Sequence, residues 1–249
     1  MDGLLALDSS SDSCSLALQT GGVCYQRFEV VPRGHTDLVS GMLHSLLAET
    51  GLVLRELTGI VVSRGPAASF TGIRLAVSFA QGLACGLGLP VIPISTMAGL
   101  AQQCWSEWAG NDGEFLTVCP RSVVIGVLLD GKMRSYYYGA YGVDVKSGLL
   151  SDVVAVEEIY SKDDVGAVLS REPPQLLLGD GCDLGWVNDL VHAIGTIQVV
   201  SKTNYLQAKY LLPLADQYLS RCDLASFKPE LAVPHYLRGK QFWRNPSDS

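Results

Sequence analysis

Two aspartates at the ends of apolar runs are the first residues whose placement suggests chemistry. Asp8 closes the run in LLALDSSSDSCSLAL and Asp130 the run in IGVLLDGKMRSYYYG, and each leads into a turn. An acid beside backbone amides and hydroxyls is an arrangement that holds phosphate and hydrated magnesium. Gly179 and Gly181, in LLGDG, mark a third place where small residues after a strand would let a nucleotide approach the backbone. The turns depart from that pattern. DSSSDS lacks the usual glycine, and DGKMRS lacks the second glycine and the hydroxyl of such a turn. A phosphate site and a plain pair of hairpin turns both stay open, with the second favoured.

Other chemistries find less support. The histidines, His35, His44, His192 and His235, form no H-x-x-x-H or H-E-x-x-H pair, so no metal site is expected and surface or capping roles fit all four. Ser9, Ser10, Ser11 and Ser69 sit in no strained G-x-S-x-G elbow and have no evident base, so no catalytic residue is assigned. Glu157-Glu158 and Asp163-Asp164 fall on one expected helix as solvated acids near its start. The seven cysteines are scattered without any C-x-x-C, which points to reduced, mostly buried thiols.

The elements that would position these residues follow from alternation and breakers. Strands are expected at 3–8, 14–19 and 23–31, then a helix over 35–50 closed by Gly51. Strand 59–63, helix 69–88, strand 89–94 and a helix N-capped by Ser95 come next. The second half repeats the order: strands at 122–130, 134–142 and around 153–156, helix 157–170, strand 175–179, helix near 184–192, strand 196–200 and helix 204–219. Each half reads β-β-β-α-β-α-β-α, although no residue-level repeat supports the duplication. The expectation is an α/β chain of two similar lobes, residues 1–109 and 110–249, with GNDGEFLTVCP as the hinge and a polar, mobile C-terminal tail. Two acid-tipped hairpins facing a cleft are what actin-like and Hsp70-like ATPases use to hold phosphates. The pair here then reads as inherited from an ATP-binding ancestor.

Composition narrows the partners. Lys+Arg number 18 against Asp+Glu 25, a formal net charge of -7. Independent binding of nucleic acid leans on a basic stripe, and the one modest cluster is the tail with Arg238, Lys240 and Arg244. Its basic residues are expected to be solvated, with guidance of a nucleic acid inside a complex as the weaker alternative. Apolar runs such as VVIGVLL are too short to cross a bilayer, and MDGLLALDSSSD lacks the basic start of a secretory signal. A cytoplasmic protein without membrane contact is expected.

The stretch RGPAASFTGIRLAVSFAQGLACGLGLPVIPISTMAGLA closely resembles the R-G-P-G-S-F-T-G-x-R signature, helix and P-V-x-x-[VI]-S-T strand of the bacterial TsaB family, also called YeaZ. LLALDSSSDSCSLAL, GHTDLVSGMLHSLLAETGL, LLDGKMRSYYYGAY, LLGDG and PHYLR are similar to further segments of that family. The resemblance implies a duplicated actin-like (Hsp70-like) fold and a role in making threonylcarbamoyladenosine on tRNA. It implies a non-catalytic scaffold that activates a TsaD-type transferase paralogue as a heterodimer, with a TsaE-type ATPase in a larger complex. Homodimer and monomer both stay open for the chain alone, and tRNA is met only through the complex. No cofactor of its own follows; ATP or ADP would sit, if anywhere, at the interface of the complex. The alternative is an actin-like nucleotide-hydrolysing enzyme or small-metabolite kinase. Two departures stand out: Ala67-Ala68 replaces one glycine of the signature, and Ser135 replaces the family's glutamate.

SRGPAASFTGIR itself has two readings, a phosphate cradle at a helix start or a tight strand-to-helix turn. The second is preferred, with the helix it launches serving as an interface. From Phe70 to Leu87 that helix is apolar on nearly every side, and Gly72, Ala76, Ala80 and Ala84 recur every fourth residue. Leu38, Met42, Ser45, Gly72, Ile73, Ala76, Val77 and Ala80 are therefore the expected partner-binding residues.

Overall fold

The computed structural model describes residues 3–31, 35–67, 69–109, 122–201 and 205–237. The expected hinge and the tail residues Arg238, Lys240 and Arg244 lie outside these.

Each half builds one five-stranded sheet, and the two sheets have one topology. The first contains β1 (Leu4–Asp8), β2 (Ser13–Thr20), β3 (Val23–Val30), β4 (Gly59–Ser63) and β5 (Val91–Ile94), in the order β3-β2-β1-β4-β5. The second contains β6 (Ser122–Asp130), β7 (Tyr136–Asp144), β8 (Leu149–Tyr160), β9 (Leu176–Leu178) and β10 (Gln198–Ser201), in the order β10-β9-β6-β7-β8. Read from the meander end, both run third-second-first-fourth-fifth. The first three strands pair antiparallel and the last two join in parallel in each sheet. Parallel pairing requires helical crossovers, and these are α1 (His35–Thr50), α2 (Phe70–Leu87), α4 (Lys162–Arg171) and α5 (Gly185–Ile194). α3 (Thr96–Ala109) and α6 (Leu212–Arg221) each follow the fifth strand of their sheet.

Strand alternation sorts the core into three layers of side chains. Leu5, Leu7, Leu16 and Leu18 face α1 and α2. Leu128, Tyr138 and Leu177 face α4 and α5. Leu4, Ala6, Val61, Ile125, Val127 and Leu176 turn to the middle, where they share one core with Met97 and Trp105 of α3 and Leu214 of α6. The lobes thus meet through a common apolar layer. The chain also crosses back after α6: Phe227 accepts the amide of Val91, and Gln81 donates to the carbonyls of Pro229 and Ala232 at 3.0 and 3.1 Å.

Helix ends follow local signals. The Ser69 hydroxyl accepts from the Gly72 amide at 3.1 Å, and Gly88, at φ 71°, ends α2 in the left-handed region. The Ser95 hydroxyl accepts from the amides of Met97 and Ala98, which starts α3 as expected. Two boundaries differ from the sequence reading. The segment 157–160 belongs to strand β8, and α4 starts only after Ser161, whose capping box with Asp164 fixes the start. α6 starts at Leu212 because Pro213, which lacks an amide proton, suits a first turn and not a helix interior.

Candidate functional site

The turn after β1 is closed by the protein itself. Asp8 is fully buried, and its carboxylate accepts from the Ser63 hydroxyl at the end of β4 and from the Ser10 amide at 3.3 Å. Burial pushes its carboxyl up to about 6, against the opposing pull of the Ser63 and Ser10 hydrogen bonds. α2 begins directly on this turn. The Ser9 hydroxyl donates to the Gly72 carbonyl at 2.8 Å, and the Ser69 amide donates to the Ser10 carbonyl at 3.0 Å. A Cβ at Gly72 would stand 1.8 Å from the Ser9 carbonyl oxygen, so only glycine fits. A helix N-terminus that could receive an anion instead receives the hairpin's own backbone.

The turn after β6 is held by an internal cation. Lys132 Nζ lies 2.7 Å from Asp130 Oδ2, and the Lys132 amide donates to Asp130 Oδ1 at 2.9 Å. Burial raises the Asp130 carboxyl, but these two Lys132 contacts and the ammonium charge outweigh it and leave it below its ordinary range. Asp180 joins them by accepting the Asp130 amide at 2.9 Å. Asp12, from the first turn, adds a smaller attraction to the Lys132 charge. Lys132, Met133 and Arg134 all have positive φ, a strained run for residues with side chains. Ser135 braces it: its hydroxyl donates to the Lys132 carbonyl at 2.7 Å. The residue that departs from the family pattern thus has a local role.

Gly179 and Gly181 sit beside this turn, and their small size serves packing. A Cβ on either would fall within 3 Å of the Leu128 carbonyl oxygen, at 2.2 and 2.9 Å. Asp130, Gly179 and Gly181 are therefore brought together, while Asp8 belongs to the other lobe and is sequestered.

A second cluster joins the lobes and was not legible in sequence. Glu157, expected as a solvated helix acid, points from β8 toward lobe one. Its Oε1 accepts from the hydroxyls of Ser95, the α3 N-cap, and Tyr141 of β7. His235 Nδ1 lies 3.7 Å from Glu157 Oε2, and the His235 amide donates to the Arg64 carbonyl at 2.7 Å. Serine, histidine and carboxylate meet here in the wrong order for a hydrolytic triad. The acid, not the imidazole, contacts the serine, so the hydroxyl lacks the imidazole base of a triad.

The expected partner-binding residues divide into two groups. Gly72, Ile73, Ala76, Val77 and Ala80 face inward in lobe one, as does Met42. This corrects the expectation that the small-residue stripe of α2 receives a helix from outside, because β1, β4 and the Ser9 turn already occupy it. Leu38 is half-buried and Ser45 exposed, with Arg27 Nε donating to the Ser45 hydroxyl at 3.0 Å. The outward face carries a different set of small residues: Gly41 and Ala48 on α1, and Ser78, Gly82 and Cys85 on α2. α2 has the length and hydropathy to cross a bilayer, but its buried face is that of a core helix.

Two lobes of one topology, packed on a shared apolar layer, define a duplicated actin-like α/β protein. A family profile described as "TsaD: tRNA N6-adenosine threonylcarbamoyltransferase" matches residues 11–171. The chain is 28% identical over 250 residues, 97% of its length and 96% of the relative's, to the tRNA threonylcarbamoyladenosine biosynthesis protein TsaB of Escherichia coli K12. Its fold is similar to the crystal structure of a Pseudomonas aeruginosa protein described as uncharacterized with similarity to the peptidase YeaZ. That match has TM-score 0.76 and 29% identity over 96% of this chain and 100% of that one. YeaZ from Pseudomonas aeruginosa matches with TM-score 0.74 and 28% identity over 93% and 99%. The chain belongs to this family, on its TsaB (YeaZ) branch.

Proposed function

We propose that the chain is a non-catalytic scaffold that pairs with a TsaD-type paralogue in the cytoplasm and supports threonylcarbamoyladenosine formation on tRNA. The observation that carries the reading is the closed first hairpin. Asp8 is engaged by Ser63 and Ser10, and α2 packs its first turn onto Ser9 and Ser10. The groups that an actin-like ATPase aims at phosphate are here bonded to the protein itself. In the second hairpin Lys132 neutralises Asp130 in the same manner. ATP or ADP would then bind at the interface of the complex, and a TsaE-type ATPase would supply nucleotide turnover.

The docking surface is the outer face of α1 and α2. Small exposed residues, Gly41 and Ala48 beside Ser78 and Gly82, let a second helix pair approach closely, and half-buried Leu38, Leu75 and Phe79 supply apolar area. The same face would allow a homodimer when the paralogue is absent. With a formal net charge of -7, tRNA contact falls to the partner.

The reading is tested by reconstituting tRNA modification from purified TsaD-type and TsaE-type proteins, ATP, a threonylcarbamoyl donor and tRNA. Modification should depend on this chain, and the chain alone with ATP and magnesium should show no turnover. Steady ATP hydrolysis by the isolated protein would favour the actin-like enzyme instead.

A further inference from the structure

A cavity of about 250 Å³ lies where α3, the β7–β8 pair and α6 meet, and no residue of either hairpin turn lines it. Its apolar walls include Leu150, Val153 and Leu214, and Tyr141, Tyr218 and Arg221 are among its other lining residues. The Tyr141 hydroxyl is committed to Glu157, and Gln217, which also borders the space, donates to the Leu150 carbonyl at 3.1 Å. The Tyr218 hydroxyl and the Arg221 guanidinium, in the last turns of α6, have no hydrogen-bond or ion-pair partner among the described residues, and the smaller Ser151 hydroxyl and Cys222 thiol also line the space. Tyr218 and Arg221 are exposed at the rim. An apolar chamber with an uncommitted guanidinium and phenol at its mouth has the layout of a small-molecule pocket.

We propose that this cavity binds a small monocarboxylate with a compact apolar or aromatic body. The carboxylate would take the paired N–H groups of Arg221 and the Tyr218 hydroxyl, the geometry in which a guanidinium binds most selectively. The body would lie against Leu150, Val153 and Leu214. Size sets the class: a 150 Å³ cavity accommodates benzene, so this one holds a body of roughly ten non-hydrogen atoms and is too small for a nucleotide. Charge sets it too. One arginine on a chain of net charge -7 suits a single negative charge and disfavours a polyphosphate. The site is separate from both hairpins and from the α1–α2 face, so it stands or falls independently of the scaffold reading.

The test uses the full chain and 3-phenylpropionate, followed by isothermal titration and ligand-observed NMR. Saturable one-to-one binding is expected, with a Kd of about 1 mM or tighter for a ligand of this size. Arg221→Gln should weaken binding at least tenfold, to the level at which wild type binds the neutral 3-phenylpropanamide. Val153→Trp, placed on a side chain 60% exposed, should fill the mouth and abolish binding while the Tm stays near wild type. No saturable binding by the folded protein would overturn the proposal. So would equal affinity for acid and amide, or binding that both variants leave unchanged.

Discussion

Gly72 packs against Ser9 so closely that any side chain there would meet the Ser9 carbonyl oxygen, at 1.8 Å for a Cβ. This contact seals the hairpin that an actin-like ATPase leaves open to phosphate. It also gives two glycines of one helix opposite expected effects. Gly82 has nothing within 4 Å of its Cβ position. Gly82→Ala should therefore stabilise by about 1 kcal/mol through helix propensity. Gly72→Ala should destabilise by about 3 kcal/mol, because backbone must move to admit the methyl group. Thermal or urea unfolding of the two variants reads both signs.

Buried Asp8 should tie stability to pH. Burial pushes its carboxyl up to about 6 in the folded chain, against 3.8 for a freely solvated aspartate. A raised acid binds its proton more tightly when folded, so its contribution is full below about pH 4 and is lost as pH rises through about 6. The loss is of order 3 kcal/mol. Asp8→Asn should flatten the pH dependence of unfolding between those limits and leave tRNA modification in the reconstituted system largely intact. An unchanged pH profile would place the Asp8 carboxyl elsewhere.

Glu157 should couple the lobes. Glu157→Ala leaves the Ser95 and Tyr141 hydroxyls without their acceptor in a half-buried place, and should cost about 2–4 kcal/mol. Tyr141→Phe should cost about 1–2 kcal/mol, and the double variant should cost less than the sum of the two. Strict additivity in the unfolding cycle would deny the contact any energetic role.

The left-handed turn Lys132–Arg134 stores strain that one glycine should release. Met133 is 88% exposed at φ 53°, so it has little packing to lose. Met133→Gly should stabilise by about 1 kcal/mol, measured by the urea midpoint. A lower midpoint would show that Met133 holds the turn in place.

The element order was legible in sequence because its signals are local. Ser69 and Ser95 cap helices, Gly51 and Gly88 end them, and apolar runs or alternation between breakers mark the strands. Where a local signal misleads, the reading failed. Glu157-Glu158 resembles a helix start, yet the Ser161–Asp164 box is the real one. α2 offers a different lesson. The polar face of this almost wholly apolar helix is very narrow, so the spacing of Gly72, Ala76 and Ala80 alone suggests an accessible stripe. The narrow strip of Arg74 and Ser78 was the outward marker all along. The Ser95–Glu157–His235 cluster joins segments distant in sequence, and no spacing announces it.

The central claim is that this chain acts by docking a TsaD-type paralogue through the outer face of α1 and α2. Gly41 and Ser78 are exposed with no buried role, and Gly41 has open space at its Cβ position. The decisive measurement is the affinity of Gly41→Arg/Ser78→Arg for the purified paralogue by isothermal titration, beside its melting temperature. Docking predicts at least a 100-fold loss of affinity, because two bulky charges enter a close helix contact, with the Tm unchanged. Wild-type affinity in the folded double variant would contradict it.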